Sequence, residues 1–163
     1  MWLRSLARNV AGLSVVGLSL VGLSLGASPS PARAALGRAY SSVESDRSVL
    51  GATVQSVSAG AYTVHTLALA NRGAVKEFTR PDGVVFAVAW RGPGRPDLRQ
   101  LLGEHFDTVQ AEAAATSGRR LGRPLSVNRS DLMVISGGHP GAFWGVAVIP
   151  QLQPAGFSAS GLK

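Results

Sequence analysis

Seven apolar residues run without interruption from Val84 to Trp90, and period-two alternation divides them into a bulky face (Val84, Phe86, Val88, Trp90) and a slim one (Val85, Ala87, Ala89). A strand with no polar face belongs inside a sheet that is covered on both sides. Arg80-Pro81-Asp82-Gly83 precedes it, with Pro to fix φ, Asp to bond its own backbone and Gly for a positive φ, the pattern of a three-residue hairpin loop closed by a bulge. Upstream, Tyr62, Val64, Thr66 and Ala68 alternate with Thr63, His65, Leu67 and Leu69, and Asn71-Arg72-Gly73 repeats the glycine-ended loop. Ala74 to Thr79 should therefore return antiparallel. Pairing Ala70 with Ala74 and Arg80 with Val84 aligns Thr66, Phe78 and Phe86 on one face of this meander, and His65, Thr79 and Val85 on the other.

Helical spacing takes over after Arg91-Gly92-Pro93-Gly94-Arg95-Pro96, a segment unfit for a helix or a central strand. Asp97 and Gln100 have the spacing of a capping box, and Leu98, Leu101, Leu102, Phe106, Val109 and Ala113 form one apolar stripe behind them. Gly118 is the natural stop, with Arg119 and Arg120 beyond it at the negative end of the helix dipole. Ser41 and Glu44 repeat the capping spacing ahead of a shorter helix that carries Val43, Arg47 and Leu50 and ends at Gly51. Ala35 to Tyr40 is expected to be an unstructured lead-in. Thr53 to Val57, Leu125 to Arg129, Leu132 to Ser136 and Phe143 to Ile149 complete the strands, with Leu125 to Arg129 at an edge and Gly137-Gly138-His139-Pro140-Gly141 as a turn or loop. From about Pro150 a loop-rich tail lies over the surface, anchored by Leu152 and Phe157. The predicted architecture is α+β: an antiparallel meander sheet, one main helix of about Asp97 to Ser117 packed on a face, and a short N-terminal helix.

The N-terminus follows different rules. Met1 to Arg8 carries two arginines and no acid, Val10 to Ala27 is apolar apart from serines and glycines, and Ala32-Arg33-Ala34 sets small residues where a signal peptidase reads them. Residues 1–34 are expected to be a signal peptide cut between Ala34 and Ala35, leaving a single domain at 35–163 that is periplasmic or secreted. The alternative is an uncleaved anchor, because the apolar run approaches the roughly 18 residues of a membrane span. Loss of Arg4, Arg8 and Arg33 takes the formal charge from +7 to +4. The chain contains no cysteine, which excludes disulfides, thiolate catalysis and cysteine-held metals and leaves the apolar core to hold the fold. No basic run exceeds a doublet and no aromatic ladder interleaves the arginines, so nucleic acid is set aside as a partner; an envelope protein or an anionic ligand fits better, and against both stands the plainer reading of the charges as a solvated surface.

The chain has three histidines. His65, mid-strand, is expected to be a hydrogen-bonded structural residue, and His105 to sit at the rim of the apolar stripe. His139 is the most site-like, because the surrounding glycines allow a ligand to approach closely. No histidine pair has zinc-protease spacing, no Gly-x-Ser-x-Gly elbow is present, and no strand, glycine loop and helix combine around a phosphate-binding lysine. Catalytic, metal and cofactor residues are accordingly assigned to none. Asp82 and Asp131 occupy turns that local backbone bonding explains, Glu77 is placed on a strand edge and Glu104 on a solvent face. The remaining candidate is a binding corner of Trp90, Arg91, Arg95, Asp97 and His139, where an aromatic ring, arginine forks and a rigid turn stand beside a helix start. Against it weigh a core role for Trp90 and the commitment of Asp97 to its own helix.

Taken together, Tyr62-Thr-Val-His65, Gly83-Val-Val-Phe-Ala-Val-Ala-Trp90, Gly92-Pro93, Pro96-Asp97-Leu98, Leu101-Leu102-Gly103, Asp131-Leu132 and Ser136-Gly-Gly-His139 resemble a family of exported bacterial proteins, the domain of unknown function numbered 2844. The resemblance covers nearly all of residues 35–163 and implies an exported protein built as one module; it transfers no activity. The leading expectation is a non-enzymatic binding or accessory module of the cell envelope, holding its partner at a sheet edge or at the binding corner. The alternative is a small periplasmic hydrolase or transferase with His139 as base. An exposed patch without converging catalytic groups favours the first, and His139 meeting an acid and a nucleophile in a pocket favours the second.

Overall fold

The computed structural model describes residues 36–116 and 124–162. The leader with its cleavage site, and the helix end at Ser117 and Gly118 with Arg119 and Arg120, lie outside the described residues. Seven strands form one antiparallel sheet: β1 (Thr53–Ser58), β2 (Thr63–Ala68), β3 (Ala74–Thr79), β4 (Val85–Gly92), β5 (Leu125–Asn128), β6 (Met133–His139) and β7 (Ala142–Val148), in the order β1-β2-β3-β4-β7-β6-β5. The helices are α1 (Ser41–Val49), α2 (Leu98–Leu102) and α3 (Phe106–Thr116). They lie on one face, where Leu36, Val43, Leu101, Leu102 and Val109 pack with Leu67, Val75, Val88 and Trp90 of the sheet. On the opposite face a second cluster gathers Phe78, Phe86, Ala87, Ala89, Val146 and Val148 under Phe157 of the tail. The α+β class and the antiparallel meander follow from the pattern as expected.

The central strand β4 is buried from Val85 through Trp90, but its two faces are not the alternating sets. Thr79 pairs with Val85 and Phe78 with Ala87, so Phe86 is the extra residue of a β-bulge. Alternation restarts one residue later: Val85, Val88 and Trp90 face the helices, while Phe86, Ala87 and Ala89 face away. Phe78 and Phe86 still share a side, their ring centroids 6.3 Å apart. The β2–β3 register is also displaced by two residues, since Ala68, not Ala70, pairs with Ala74, and Phe78 meets Val64 rather than Thr66. There the positive φ falls on Arg72 (φ 65) instead of Gly73. Glycine at 73 serves packing: a Cβ on neighbouring Gly92 would lie 2.7 Å from the Gly73 Cα, and one on Gly73 would lie 2.8 Å from Asn71 Oδ1.

The lead-in is ordered from Leu36 onward. Leu36 is buried and its N–H donates to the Leu101 carbonyl; Gly37 N–H donates to Val85 O, and Val85 N–H to Arg38 O, which stitches the segment to β4. A leucine that completes the core and free backbone groups beside a strand end explain why the lead-in does not stay loose. The short helix forms where expected, yet no side chain caps it; Ser42 Oγ instead donates to Ala39 O at 2.8 Å. Asp97 Oδ1 does accept from Gln100 N–H at 3.1 Å, but the Gln100 side chain does not return to complete a capping box. The main helix is interrupted at Gly103 (φ 53) by a 3-10 turn through His105, because that backbone conformation cannot continue α2. Finally, β6 continues through Gly137, Gly138 and His139, and only Pro140-Gly141 turn the chain, with His139 opposite Ala142. The two glycines make room in a strand: a Cβ on Gly137 would press the Trp144 indole at 3.1 Å, and one on Gly138 would lie 2.8 Å from the Phe143 Cα.

Candidate functional site

The tail covers only part of the second sheet face. Phe157 stands edge-on to Phe86, Phe78 and Tyr62, with centroid distances of 4.8, 5.3 and 5.4 Å, and so roofs the β2–β4 half. Over β6 and β7 the tail stands off the sheet and leaves a groove of about 320 Å³. Met133 and Ile135 of β6 and Val146 and Val148 of β7 form its floor, while Phe157, Ser158, Ala159 and Ser160 of the tail, with Gln153, line the rest. The wall is braced internally: Gln153 Nε2 donates to Phe157 O at 2.9 Å, and the hydroxyls of Ser158 and Ser160 bond each other at 2.7 Å. Among the described residues no charged side chain lines the groove. Strand pairing sets what lies beyond it. Ile135 pairs with Val146, and the next row of the same face holds Gly137 and Trp144, with the indole lying over the glycine. Arg91 pairs with Trp144 and Lys76 with Ala89, so both cations stand on this face, and both are exposed.

The other unusual chemistry is interior. Glu77, expected at a strand edge, is fully buried on β3 facing the helices, because it shares parity with Val75 and Thr79. Burial first, then the negative charge of Asp46 on α1 and the hydrogen bond between the two side chains, push the Glu77 carboxyl up to about 9. At neutral pH the acid is therefore protonated and donates to the Asp46 carboxylate, which also accepts from Gln100 Nε2 of α2. Across the β2–β3 ladder from Glu77 sits His65, buried, with Nδ1 bonded to Ser56 Oγ at 2.8 Å, Nε2 to Thr79 Oγ1 at 2.9 Å, and the Tyr40 ring 4.9 Å away. Burial lowers its pKa and keeps it neutral. Asp46 and Glu77 are both 0 % exposed, so the acid pair joins α1 to the sheet without meeting solvent, and Gln100 adds α2. Parity with Val75 and the three-residue spacing of Asp46 from Val43 were the available signals for it.

The five residues of the predicted corner occupy one end of the sheet without converging. Trp90 is buried at 3 % exposure against Gly145, and Asp97 caps α2. Arg91 stands on the tail face, whereas Arg95 lies with its guanidinium 4.8 Å above the Phe143 ring. His139 is exposed at the β6–β7 hairpin tip, its Nδ1 at 2.9 Å from Pro140 O. One bond does join the loops that carry them, Gly141 N–H to Pro93 O at 3.1 Å. The groove itself was missed because its far wall comes from a tail with no periodicity to read. Its floor was visible in part: Met133, Ile135, Val146 and Val148 share one face, more apolar surface than a single anchor such as Phe157 covers.

No curated protein and no solved structure matches the chain significantly. The model of a family described as protein of unknown function (DUF2844) matches residues 32–162, which takes in every described strand and helix, and the chain belongs to that family.

Proposed function

We propose that this protein is a non-enzymatic binding module of the cell envelope, and that it holds an apolar ligand in the groove between β6–β7 and the C-terminal tail. The observation that carries this reading is the contrast between two features: the uncharged apolar groove opens to solvent, while the most strongly perturbed acid is sealed inside the core. His139, at the hairpin tip, stands apart from both. The envelope location draws on the signal pattern of residues 1–34. The product recovered from outside the cytoplasm is expected to begin at Ala35, as read by intact mass; an intact Met1 terminus on that product would count against export by cleavage.

A neutral fluorescent probe such as N-phenyl-1-naphthylamine should brighten on binding. Ala159→Trp, which fills the groove from the tail side, should weaken that binding by about tenfold or more, while Val57→Trp on the exposed β1 edge should leave it unchanged. Equal binding by the two variants would place the probe elsewhere and remove this reading.

A further inference from the structure

Two cations flank the groove on its own sheet face. The described residues of its floor and walls carry no charge, and the row beyond Ile135 and Val146 presents the half-buried Trp144 indole across Gly137. Arg91 stands directly opposite Trp144 on the next strand, and Lys76 stands opposite Ala89, which itself pairs with Val146, so Lys76 lies in the row of the groove floor two strands to its side. Rows on one face of a strand are separated by roughly 7 Å and neighbouring strands by about 4.8 Å, so the Arg91 stem spans one row toward the groove and the Lys76 stem extends toward it across β4. Neither cation has an acid to neutralise it: Arg47, Arg80, Arg99 and Arg129 form the salt bridges among the described residues, and Arg91 and Lys76 form none. At about 320 Å³ the groove is at the small end of ligand sites, which suits a single slender chain better than a sterol or a folded partner.

We propose that the ligand is a single-chain anionic amphiphile, its hydrocarbon chain lying along Met133, Ile135, Val146 and Val148 and its headgroup held at the β3–β4 side of the groove, between Arg91 in the row of Trp144 and Lys76 in the row of Val146. This rests on the groove being the binding site. The apolar chain gains from leaving water, and the anion is drawn to the β3–β4 side of the groove, where two cations stand outside any salt bridge among the described residues. Indole between the two zones gives an amphipathic surface suited to the junction of chain and head.

The test uses three probes with the same chain and different heads, each below its critical micelle concentration: dodecanoate, dodecyl maltoside and dodecyltrimethylammonium. Calorimetric titration of the mature protein should rank them in that order, with dodecanoate about tenfold tighter than the neutral maltoside. Raising the salt to 0.5 M should shrink that margin, since exposed charges are screened. The double variant Arg91→Gln, Lys76→Gln should abolish the margin while binding dodecyl maltoside as the wild type does; both residues are exposed, so the fold should survive the change. Trp144→Phe should remove the fluorescence change on binding. Equal affinity for the three heads, or a margin that survives in the double variant, overturns the anionic assignment and leaves the groove intact. No binding of any probe overturns both the assignment and the groove reading on which it rests.

Discussion

Replacing Glu77 by glutamine is expected to prevent most of the loss of stability that the protein undergoes between pH 5 and pH 9. In the folded chain Glu77 keeps its proton up to about 9, whereas in the unfolded chain a glutamate loses it near 4.5. The folded state therefore binds one more proton than the unfolded state throughout that window. Stability from this group is complete below the unfolded value and is lost as pH rises, at up to ~1.4 kcal/mol per pH unit. Glutamine cannot ionise, and its amide can still donate to the Asp46 carboxylate. Glu77→Gln should match the wild type near pH 5 and exceed it increasingly at pH 7 and 9, read as urea midpoints with unchanged m. The groups that face Glu77 are Asp46 from α1 and His65 from β2, with Gln100 of α2 on Asp46. His65 acts with the opposite sign: its lowered pKa yields stability that is present above the ordinary histidine value and lost as pH falls through it, so it bears on the acid side. Parallel curves for variant and wild type from pH 5 to 9 would show that Glu77 is ionised in the fold, and the acid–carboxylate bond would have to be abandoned.

Legibility in the sequence followed the reach of each signal. Strand positions, the first cap at Asp97 and the covering of β4 on both sides were readable, because alternation, turn chemistry and cap spacing are local. The failures occurred where tertiary packing took a residue for another purpose. Gly73 was assigned the positive φ of a turn, but Gly92 needs it for close approach, and Arg72 took the strained position instead. Gly137 and Gly138 looked like a loop and are strand residues that make room for Trp144 and for the returning β7 backbone. Phe86, as a bulge, reversed the faces of everything before it relative to everything after. The sealed acid pair was half legible, since parity puts Glu77 beside Val75, but its partner lies on a helix that only the fold brings near. For the groove, the floor was encoded in alternation and the opposing wall was not. An aperiodic tail carries its structural information in a single aromatic anchor, Phe157, whose neighbours cannot be named before the sheet is assembled.

Gly145→Ala should destabilise the protein by about 3 kcal/mol, the upper end of the range for overpacking. Gly145 of β7 pairs directly with Trp90 of β4, at the centre of the sheet, and the indole lies flat across it. A methyl group there would stand 2.8 Å from Cη2 and closer still to Cζ2 and Cε2, so the ring must retreat by about 1 Å or more to reach ordinary contact. Retreat is blocked, because Trp90 is 3 % exposed and belongs to the same packed layer as Leu101, Leu102 and Val109. The alternative is a shift of β7 itself, which carries Val146 and Val148, half of the groove floor. Loss of stability and loss of probe binding should therefore appear together in this variant. Trp90→Phe alone should also be destabilising, through lost contact, yet in combination with Gly145→Ala the smaller ring leaves space for the methyl, and the double variant should be more stable than the sum of the single effects predicts by ~1 kcal/mol or more. Denaturation of all four proteins closes that cycle. Strict additivity would mean that the methyl group and the indole do not meet, and with it would go the account of why a glycine stands in the middle of the β4–β7 pair.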